Sequence, residues 1–234
     1  MNAILFDKDG TLLDFEATWL PVLRAFALDL AHGDDATAEA MLVKGGFDPQ
    51  TGRFRAGSTI AVGTSVDLAK LWYPTIDGKA LGAIVERIDK GFFAGGLSHS
   101  VALPGVAETL TELAGQGRVM GVATNDGTAT AMQALGAIGL GSFFTLVVGY
   151  DAVKNPKPAP DMVLAFAAET GRTPANIVVV GDNAHDLVMA RAAGASAAIG
   201  VSSGNSAAAD LAPFADAILE SIRDLPEWLH QNRK

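Results

Sequence analysis

Two aspartates, Asp7 and Asp9, lie one residue apart directly after the short apolar run of residues 2–6. In an extended strand, side chains two residues apart point to the same side, so the two carboxylates should lie close together. Two neighbouring carboxylates repel each other unless a cation or a proton lies between them. The pair therefore predicts a bound metal ion, a shared proton, or both.

Polar side chains also follow three later segments that we predict to be strands. They are Thr124, Asn125 and Asp126 after residues 118–123, Lys154 and Lys157 after residues 145–148, and Asp182 and Asp186 after residues 176–180. The ends of parallel strands meet at one edge of a sheet, so these groups should converge on Asp7 and Asp9. Several carboxylates together favour Mg²⁺, and a lysine and a hydroxyl beside the ion would hold a phosphate group. An aspartate can then serve as a nucleophile through an aspartyl-phosphate, with water as the acceptor.

The apolar runs of the second half are continuous rather than alternating, and helical segments separate them. This pattern is typical of a parallel sheet that is covered on both faces. The fold class is therefore predicted to be α/β, with a Rossmann-like three-layer core and a mostly parallel sheet. Residues 15–95 show helical spacing instead, and they predict an all-helical cap domain. The core would then comprise residues 1–14 and 96–234.

Within the predicted cap, helices are expected at about 15–30, 35–44, 59–72 and 78–93, with a long glycine-rich loop over 45–58. The pair Gly95-Gly96 is expected to break the helical pattern and could serve as a hinge, although paired glycines also simply end helices. In the loop, Arg53 and Arg55 have two interpretations that remain open: they bind the leaving group of a substrate, or they are solvated. In the core, Asp126 is expected to cap the helix that runs to about Ala137.

The composition narrows the classes of function. The chain has 234 residues, of which 49% are hydrophobic and 18% are charged, so it can bury a substantial core. Its net charge of -9 argues against nucleic acid as a partner. There is no cysteine, no signal-peptide pattern and no apolar stretch of the ~20 residues that a membrane span needs. We therefore expect a cytoplasmic protein that binds no membrane and is a monomer or a homodimer.

The motifs resemble those of the haloacid dehalogenase-like hydrolase superfamily. They are Asp7-Lys8-Asp9-Gly10-Thr11-Leu12, Thr124, Lys157-Pro158 and Gly181-Asp182 with Asp186 four residues later. The chain is most similar to the phosphoglycolate phosphatase-like branch, which has a helical cap inserted after the first strand. This resemblance covers nearly the whole chain and is weakest over the cap.

The resemblance implies a role for each motif residue. Asp7 would be the nucleophile, and Asp9 would be the general acid and then the base. Phosphate oxygens would be held by Thr124 and by the backbone of Asn125. Lys157 would neutralise the phosphoryl charge and keep Asp7 ionised. Mg²⁺ would be bound by Asp7, the backbone carbonyl of Asp9, and Asp182, with Asp186 either a further ligand or a partner of the ligands.

The function that these roles imply is hydrolysis of a small phosphorylated metabolite, either phosphoglycolate-like or a sugar phosphate. The alternatives are a sugar-phosphate mutase of the same superfamily, a pyrophosphatase or nucleotidase, and a non-catalytic binding protein. A dehalogenase is disfavoured because Asp9 is present. Three further side chains have expectations of their own. Lys8 should point away from the two aspartates, toward a salt bridge or solvent. Lys154 should be solvated, and His185 should have a surface or packing role.

Overall fold

The structure is a computed structural model that describes residues 2–232. Its main feature is a six-stranded sheet with the strand order β5-β4-β1-β6-β7-β8, in which all neighbouring strands are parallel. The strands, including a separate two-stranded hairpin, are β1 (Ala3–Phe6), β2 (Phe47–Asp48), β3 (Arg53–Phe54), β4 (Val119–Ala123), β5 (Leu146–Val148), β6 (Ile177–Gly181), β7 (Ala197–Val201) and β8 (Ala217–Leu219). The fold is therefore α/β with a parallel sheet, and the prediction of the fold class is confirmed.

Helices cover both faces of this sheet. They are α1 (Phe15–Leu30), α2 (Asp35–Gly45), α3 (Thr59–Val62), α4 (Ser65–Trp72), α5 (Gly78–His99), α6 (Val106–Gly115), α7 (Thr128–Ala137), α8 (Asp161–Thr170), α9 (Ala184–Ala193), α10 (Ala208–Leu211) and α11 (Leu225–Gln231). Short 3-10 helices occupy Gly141–Phe143, Tyr150–Ala152, Pro174–Asn176 and Ile222–Asp224. None of the helices within 2–232 is long and apolar enough to cross a bilayer.

The strand β1 lies at the centre of the sheet because its four residues are all apolar and fully buried. Successive side chains point to opposite faces. Ile4 and Phe6 accordingly belong to the apolar core on one face, and Ala3 and Leu5 belong to the core on the other. Burial on both faces requires helices on both sides, which makes the core three layers deep.

Helices α1 to α5 pack around two apolar clusters of their own, one built on Trp19 and Leu23 and the other on Phe26 and Ile88. Separate apolar clusters support the proposal that residues 15–95 form a cap and that residues 1–14 and 96–234 form the core. The cap also touches the core, since α5 packs against α7.

The structure corrects three expectations for the cap. The segment 45–58 contains the hairpin of β2 and β3, because the rings of Phe47 and Phe54 pack together with centroids 5.3 Å apart. The helix predicted over 59–72 is two helices, since Thr64 begins α4 with a capping box. The pair Gly95-Gly96 does not break the helix, because α5 continues through it to His99.

The prediction that Asp126 caps the helix that follows it is also wrong. Helix α7 begins after Gly127, and no side chain caps it. The carboxylate of Asp126 accepts a hydrogen bond from the backbone N–H of Gly127, with a distance of 2.9 Å, and its Oδ2 lies 3.3 Å from Nζ of Lys8. Asp126 therefore pairs with a buried lysine and does not cap helix α7.

Gly95 lies in α5 because α1 approaches too closely for a side chain. A Cβ at Gly95 would lie 2.5 Å from both γ carbons of Val22, whereas a Cβ at Gly82 of the same helix would meet nothing within 4 Å. We expect Gly95→Ala to lower the free energy of unfolding by about 1–3 kcal/mol through overpacking. The matched control Gly82→Ala should raise it by about 0.5–1 kcal/mol through helix propensity. Urea unfolding of both variants tests this, and equal effects would contradict the packing argument.

Candidate active site

One cavity lies at the carboxyl edge of the sheet, between the sheet and the helices of residues 15–95. All of the site residues that the motifs singled out in the core line it: Asp7, Asp9, Thr124, Asn125, Lys157, Asp182 and Asp186. They come from the ends of β1, β4 and β6 and from the loop after β5. The cavity has a volume of about 80 Å³, which is room for on the order of five to eight water-sized groups.

Lys157 joins two of the carboxylates. Its Nζ lies 2.6 Å from Oδ1 of Asp7 and 2.5 Å from Oδ1 of Asp186, and the residue is only 7% exposed. Burial opposes its positive charge, but the charges of Asp186 and Asp7 outweigh burial and raise the pKa of Lys157. Lys157 therefore stays protonated and holds Asp7 in place. The rival lysine, Lys154, is exposed, as expected.

Asp7, Asp182 and Asp186 form a cluster of three carboxylates whose oxygens lie within 4.8 Å of one another. Burial raises the pKa of Asp7 to about 7, with Lys157 acting in the opposite direction and Asp186 and Asp9 adding to the rise. Burial and the charges of Asp7 and Asp186 also raise the pKa of Asp182 well above its usual value. One lysine cannot neutralise three carboxylates, so the cluster fits a hard divalent cation with oxygen ligands.

The carboxylate of Asp182 is seated between two glycines and a backbone donor. A Cβ at Gly10, where φ is 77°, would lie 2.5 Å from Oδ2 of Asp182, and a Cβ at Gly204 would overlap the same oxygen. The backbone N–H of Asn205 donates to this oxygen with a distance of 3.1 Å. The loop after β7 therefore positions Asp182, which motif spacing alone had not indicated.

Asp186 has a structural task besides its contact with Lys157. Its Oδ2 accepts a hydrogen bond of 3.1 Å from the backbone N–H of Asn183, and this bond is half of the capping box that begins α9. The fixed first turn of α9 explains why Asp182 and Asp186 converge.

Asp9 is held by two side chains that the sequence did not assign to the site. Its Oδ2 lies 2.5 Å from Nζ of Lys8, and its Oδ1 accepts a 2.5 Å hydrogen bond from Nε1 of Trp19 in α1. The carboxylate of Asp9 is not part of the three-carboxylate cluster. The sequence contains one indication of this contact. Trp19 lies on the apolar face of a helix, where its indole N–H needs a hydrogen-bond partner.

The expectation that Lys8 points away from the aspartates is wrong. Lys8 is fully buried, contacts Asp9, and lies 4.7 Å from the centroid of the Trp19 ring. Burial opposes its charge, but Asp9 and Asp126 outweigh it and raise its pKa. Burial likewise raises the pKa of Asp126 to about 6, against the opposing charge of Lys8. Lys8, Asp9 and Asp126 are therefore one buried charge network.

Thr124 and Asn125 differ in what their side chains do. The hydroxyl oxygen of Thr124 accepts a 3.1 Å hydrogen bond from the backbone of Asp126, which leaves its O–H free to donate. The Asn125 amide donates to the carbonyl of Val62 at 2.8 Å and accepts from the backbone N–H of Lys157 at 3.1 Å. Asn125 therefore ties the loop of Lys157 to helix α3.

Arg53 and Arg55 do not line this cavity. Arg53 contacts the loop after β7, with Nη2 3.4 Å from the carbonyl of Gly204 and 3.3 Å from Oδ1 of Asn205. Its Nε lies 3.6 Å from Glu16, and Arg55 is exposed. Arg53 thus bridges the hairpin to the core from outside the cavity.

His185 lies in the cavity wall, half-buried, and is not one of the three clustered carboxylate-bearing residues. Its Nδ1 is buried and has no hydrogen-bond partner. Burial lowers its pKa, although the charge of Asp186 acts to raise it. The expected surface or packing role did not anticipate a ring that faces the cavity.

Known proteins share both the sequence and the fold of this chain. Residues 1–194 match the model of the haloacid dehalogenase-like hydrolase family. The protein named "Probable phosphatase IndB" of Dickeya dadantii is 33% identical over 203 residues, which are 86% of this chain and 81% of that protein. A phosphoglycolate phosphatase of Shigella dysenteriae is 37% identical, with 96% of this chain and 91% of that protein covered. A crystal structure of a hydrolase from Pseudomonas syringae superposes with a TM-score of 0.73 at 25% identity over the full length of both chains.

The chain belongs to the haloacid dehalogenase-like hydrolase family, as the order of its motifs implied. It is a phosphatase of this family, and it falls in the branch that contains phosphoglycolate phosphatases.

Proposed function

We propose that this phosphatase is Mg²⁺-dependent and hydrolyses a small phosphorylated metabolite through an aspartyl-phosphate on Asp7. The observation that carries the proposal is the cluster of Asp7, Asp182 and Asp186 around Lys157, with Asp9 held beside it. The relatives that are named phosphoglycolate phosphatase support a small substrate, such as phosphoglycolate or a sugar phosphate.

The residues present fit the metal ion. Asp7, Asp182 and Asp186 would hold Mg²⁺ through their carboxylates, together with the backbone carbonyl of Asp9. When bound, the ion supplies positive charge that neutralises the cluster and the phosphoryl oxygens. The high pKa of Asp7 and Asp182 supports this assignment, because buried carboxylates without enough counter-charge retain their protons.

In the first step, a carboxylate oxygen of Asp7 attacks phosphorus. A bond forms between this oxygen and phosphorus, and the bond from phosphorus to the leaving-group oxygen breaks. Asp9 would have to enter this step protonated; it gives that proton to the leaving-group oxygen, which departs as an alcohol. The O–H of Thr124 and the backbone N–H of Asn125 would hold the phosphoryl oxygens, and Lys157 would offset their charge.

In the second step, water attacks the phosphorus of the aspartyl-phosphate. Asp9, now ionised, takes the proton of the water, and Asp7 leaves as a carboxylate together with inorganic phosphate. Trp19 and Lys8 contact the two oxygens of the ionised Asp9, so Trp19 would keep the carboxylate aligned while Oδ2 carries the proton in place of its contact with Lys8.

Metal removal tests the proposed cofactor. Excess chelator should abolish phosphate release from p-nitrophenyl phosphate, and added Mg²⁺ should restore it. Mg²⁺ at 100 times its Kd should also raise the free energy of unfolding by about 2.7 kcal/mol, because it binds the folded state. Turnover that persists in chelator would contradict the proposal.

A pair of variants localises the ion by a readout that needs no turnover. Asp182→Asn should lose the stabilisation by Mg²⁺, because it removes one of three charged ligands. The matched control is Asp77→Asn, which removes the same charge at an exposed position. This variant should keep the stabilisation by Mg²⁺. An unchanged Mg²⁺ effect in Asp182→Asn would place the ion elsewhere.

A further inference from the structure

The cap side of the cavity indicates what kind of leaving group the enzyme accepts. We infer that the leaving group is uncharged, and that a leaving group with its own negative charge, such as glycolate, is disfavoured. This inference rests on the proposed function, since it concerns the substrate of the same site.

The wall above the carboxylates is apolar or carries hydroxyl groups. Its apolar side chains are Phe15, Trp19, Leu23, Ile60, Leu68 and Phe92, and its hydroxyl side chains are Thr59, Thr64 and Ser65. Among the described residues, the basic side chains that line the cavity are Lys157 and His185, and both lie on the core side. The wall that would face a leaving group therefore offers no cation.

The charge of the cavity makes a second anion costly. Five carboxylates line it, on Asp7, Asp9, Asp126, Asp182 and Asp186. The positive charges beside them are already engaged: Lys157 contacts Asp7 and Asp186, and Lys8 contacts Asp9 and Asp126. Mg²⁺ and Lys157 would be engaged by the phosphoryl group, so a carboxylate on the leaving group would be buried among like charges without a partner.

The arginine that could have supplied the missing charge is directed elsewhere. Arg53 lies on the hairpin within the cap, but its guanidinium contacts the carbonyl of Gly204, the side chain of Asn205 and the carboxylate of Glu16. Glu16 neutralises it, and it does not line the cavity.

The polar atoms of the cavity wall add no positive charge that a substrate carboxylate could use. Oδ2 of Asp126 is buried without accessible surface and is ion-paired with Nζ of Lys8 at 3.3 Å, so it is not open to a substrate. Nδ1 of His185 is buried as well. The hydroxyls of Thr64 and Ser65 are already bonded to Asp67 and Asp89. Asp126 is a carboxylate at the cavity wall, so it repels a substrate carboxylate and offers it no hydrogen-bond donor.

The lack of a cation on this wall also bears on the alternative that the enzyme is a sugar-phosphate mutase. A mutase that works through a sugar bisphosphate must hold a second phosphate away from the metal, and that phosphate would meet this apolar, cation-free wall. The cavity therefore favours hydrolysis of a monophosphate over phosphoryl return from a bisphosphate.

Two substrates of the same shape test the inference. Phosphoglycolate and its primary amide differ in the charge of one group. We expect the amide to have a kcat/KM at least about tenfold higher with Mg²⁺ at about pH 8, where an ordinary imidazole is neutral. Hydrolysis of p-nitrophenyl phosphate serves as the reference for the chemistry itself.

A charge placed on the cap wall should reverse the preference. Thr59 lines the cavity, is half-buried, and its hydroxyl makes no hydrogen bond within residues 2–232, so replacing it removes no contact of that kind. Thr59→Arg should shift the ratio of kcat/KM values toward phosphoglycolate by about tenfold, and Thr59→Gln, a polar control without charge, should leave it unchanged. Circular dichroism establishes that both variants are folded.

The outcomes distinguish a failure of the inference from a failure of the proposed function. If the wild-type enzyme cleaves p-nitrophenyl phosphate but prefers phosphoglycolate to the amide, the inference is overturned and the proposed function stands. If Thr59→Arg and Thr59→Gln give the same ratio, the leaving group does not lie beside this wall and the inference is again overturned. If no phosphomonoester is cleaved with Mg²⁺, the proposed function itself fails.

Discussion

Asp7→Asn is expected to lower turnover by on the order of 10⁴-fold or more, because an amide is nearly isosteric with the carboxylate but is a very poor nucleophile. The fold should survive. The carboxylate of Asp7 is buried and its pKa is raised to about 7, so its ionised form is disfavoured in the folded state. The amide removes a charge that the fold tolerates poorly, and we expect the free energy of unfolding without Mg²⁺ to change by no more than about 1 kcal/mol.

The measurement is phosphate release under saturating Mg²⁺, with urea unfolding on the same samples. Asp77→Asn makes the same chemical change at an exposed position and should retain full turnover. If Asp7→Asn kept turnover within tenfold of the wild type, the mechanism through an aspartyl-phosphate would be wrong.

Lys157→Met is expected to be the most destabilising single change in the site. Lys157 is buried, and its Nζ contacts both Asp7 and Asp186. Removing one partner of a buried charge group leaves the other charges uncompensated, which typically costs about 3–5 kcal/mol. Added Mg²⁺ should restore part of this loss, because it supplies positive charge to the same carboxylates.

Lys157→Met should also move the pH dependence of turnover. The charge of Lys157 acts to lower the pKa of Asp7, which burial has raised to about 7. Without the lysine that pKa rises further, so at a given Mg²⁺ concentration the ionised carboxylate that would bind the ion forms only at higher pH, and the acid limb of the pH–rate profile should shift upward.

The control for Lys157 is a lysine three residues earlier in the same loop. Lys154 is exposed, and Lys154→Met should change neither stability nor the pH profile. A Lys157→Met variant as stable as Lys154→Met in chelator would show that the buried carboxylates do not depend on this lysine.

The parallel sheet and the converging carboxylates could be predicted because they depend on local patterns. Residues 177–180 are a continuous run of apolar residues, which indicates a strand buried on both faces, and the buried strand β6 confirms this. In a parallel sheet the end of each strand fixes the edge at which its polar residues emerge. The position of Asp182 therefore followed from the sequence without any knowledge of its partners.

The other features depend on contacts between distant parts of the chain. Strand β1 ends at Phe6, so the alternation that we extended through Asp9 gave the wrong direction for Lys8, which turns toward Asp9 and Asp126. Trp19 contacts Asp9 only because helix α1 lies across the sheet edge. The helix through Gly95 persists because packing against Val22 requires a residue without a side chain, and tertiary packing here outweighs glycine's low helix propensity.

The central position of β1 has a consequence for how the protein is made. Its hydrogen-bonding neighbours are β4 and β6, so this strand pairs with residues 119–122 and 177–180. At roughly 5–20 residues per second, its second neighbour follows roughly 9–35 s later on the ribosome. Helices α1 to α5 contact one another over shorter separations and can fold in that interval. The strand that precedes Asp7 therefore lacks its second neighbour, and its apolar residues Ile4, Leu5 and Phe6 lack their full cover, until synthesis has passed β6.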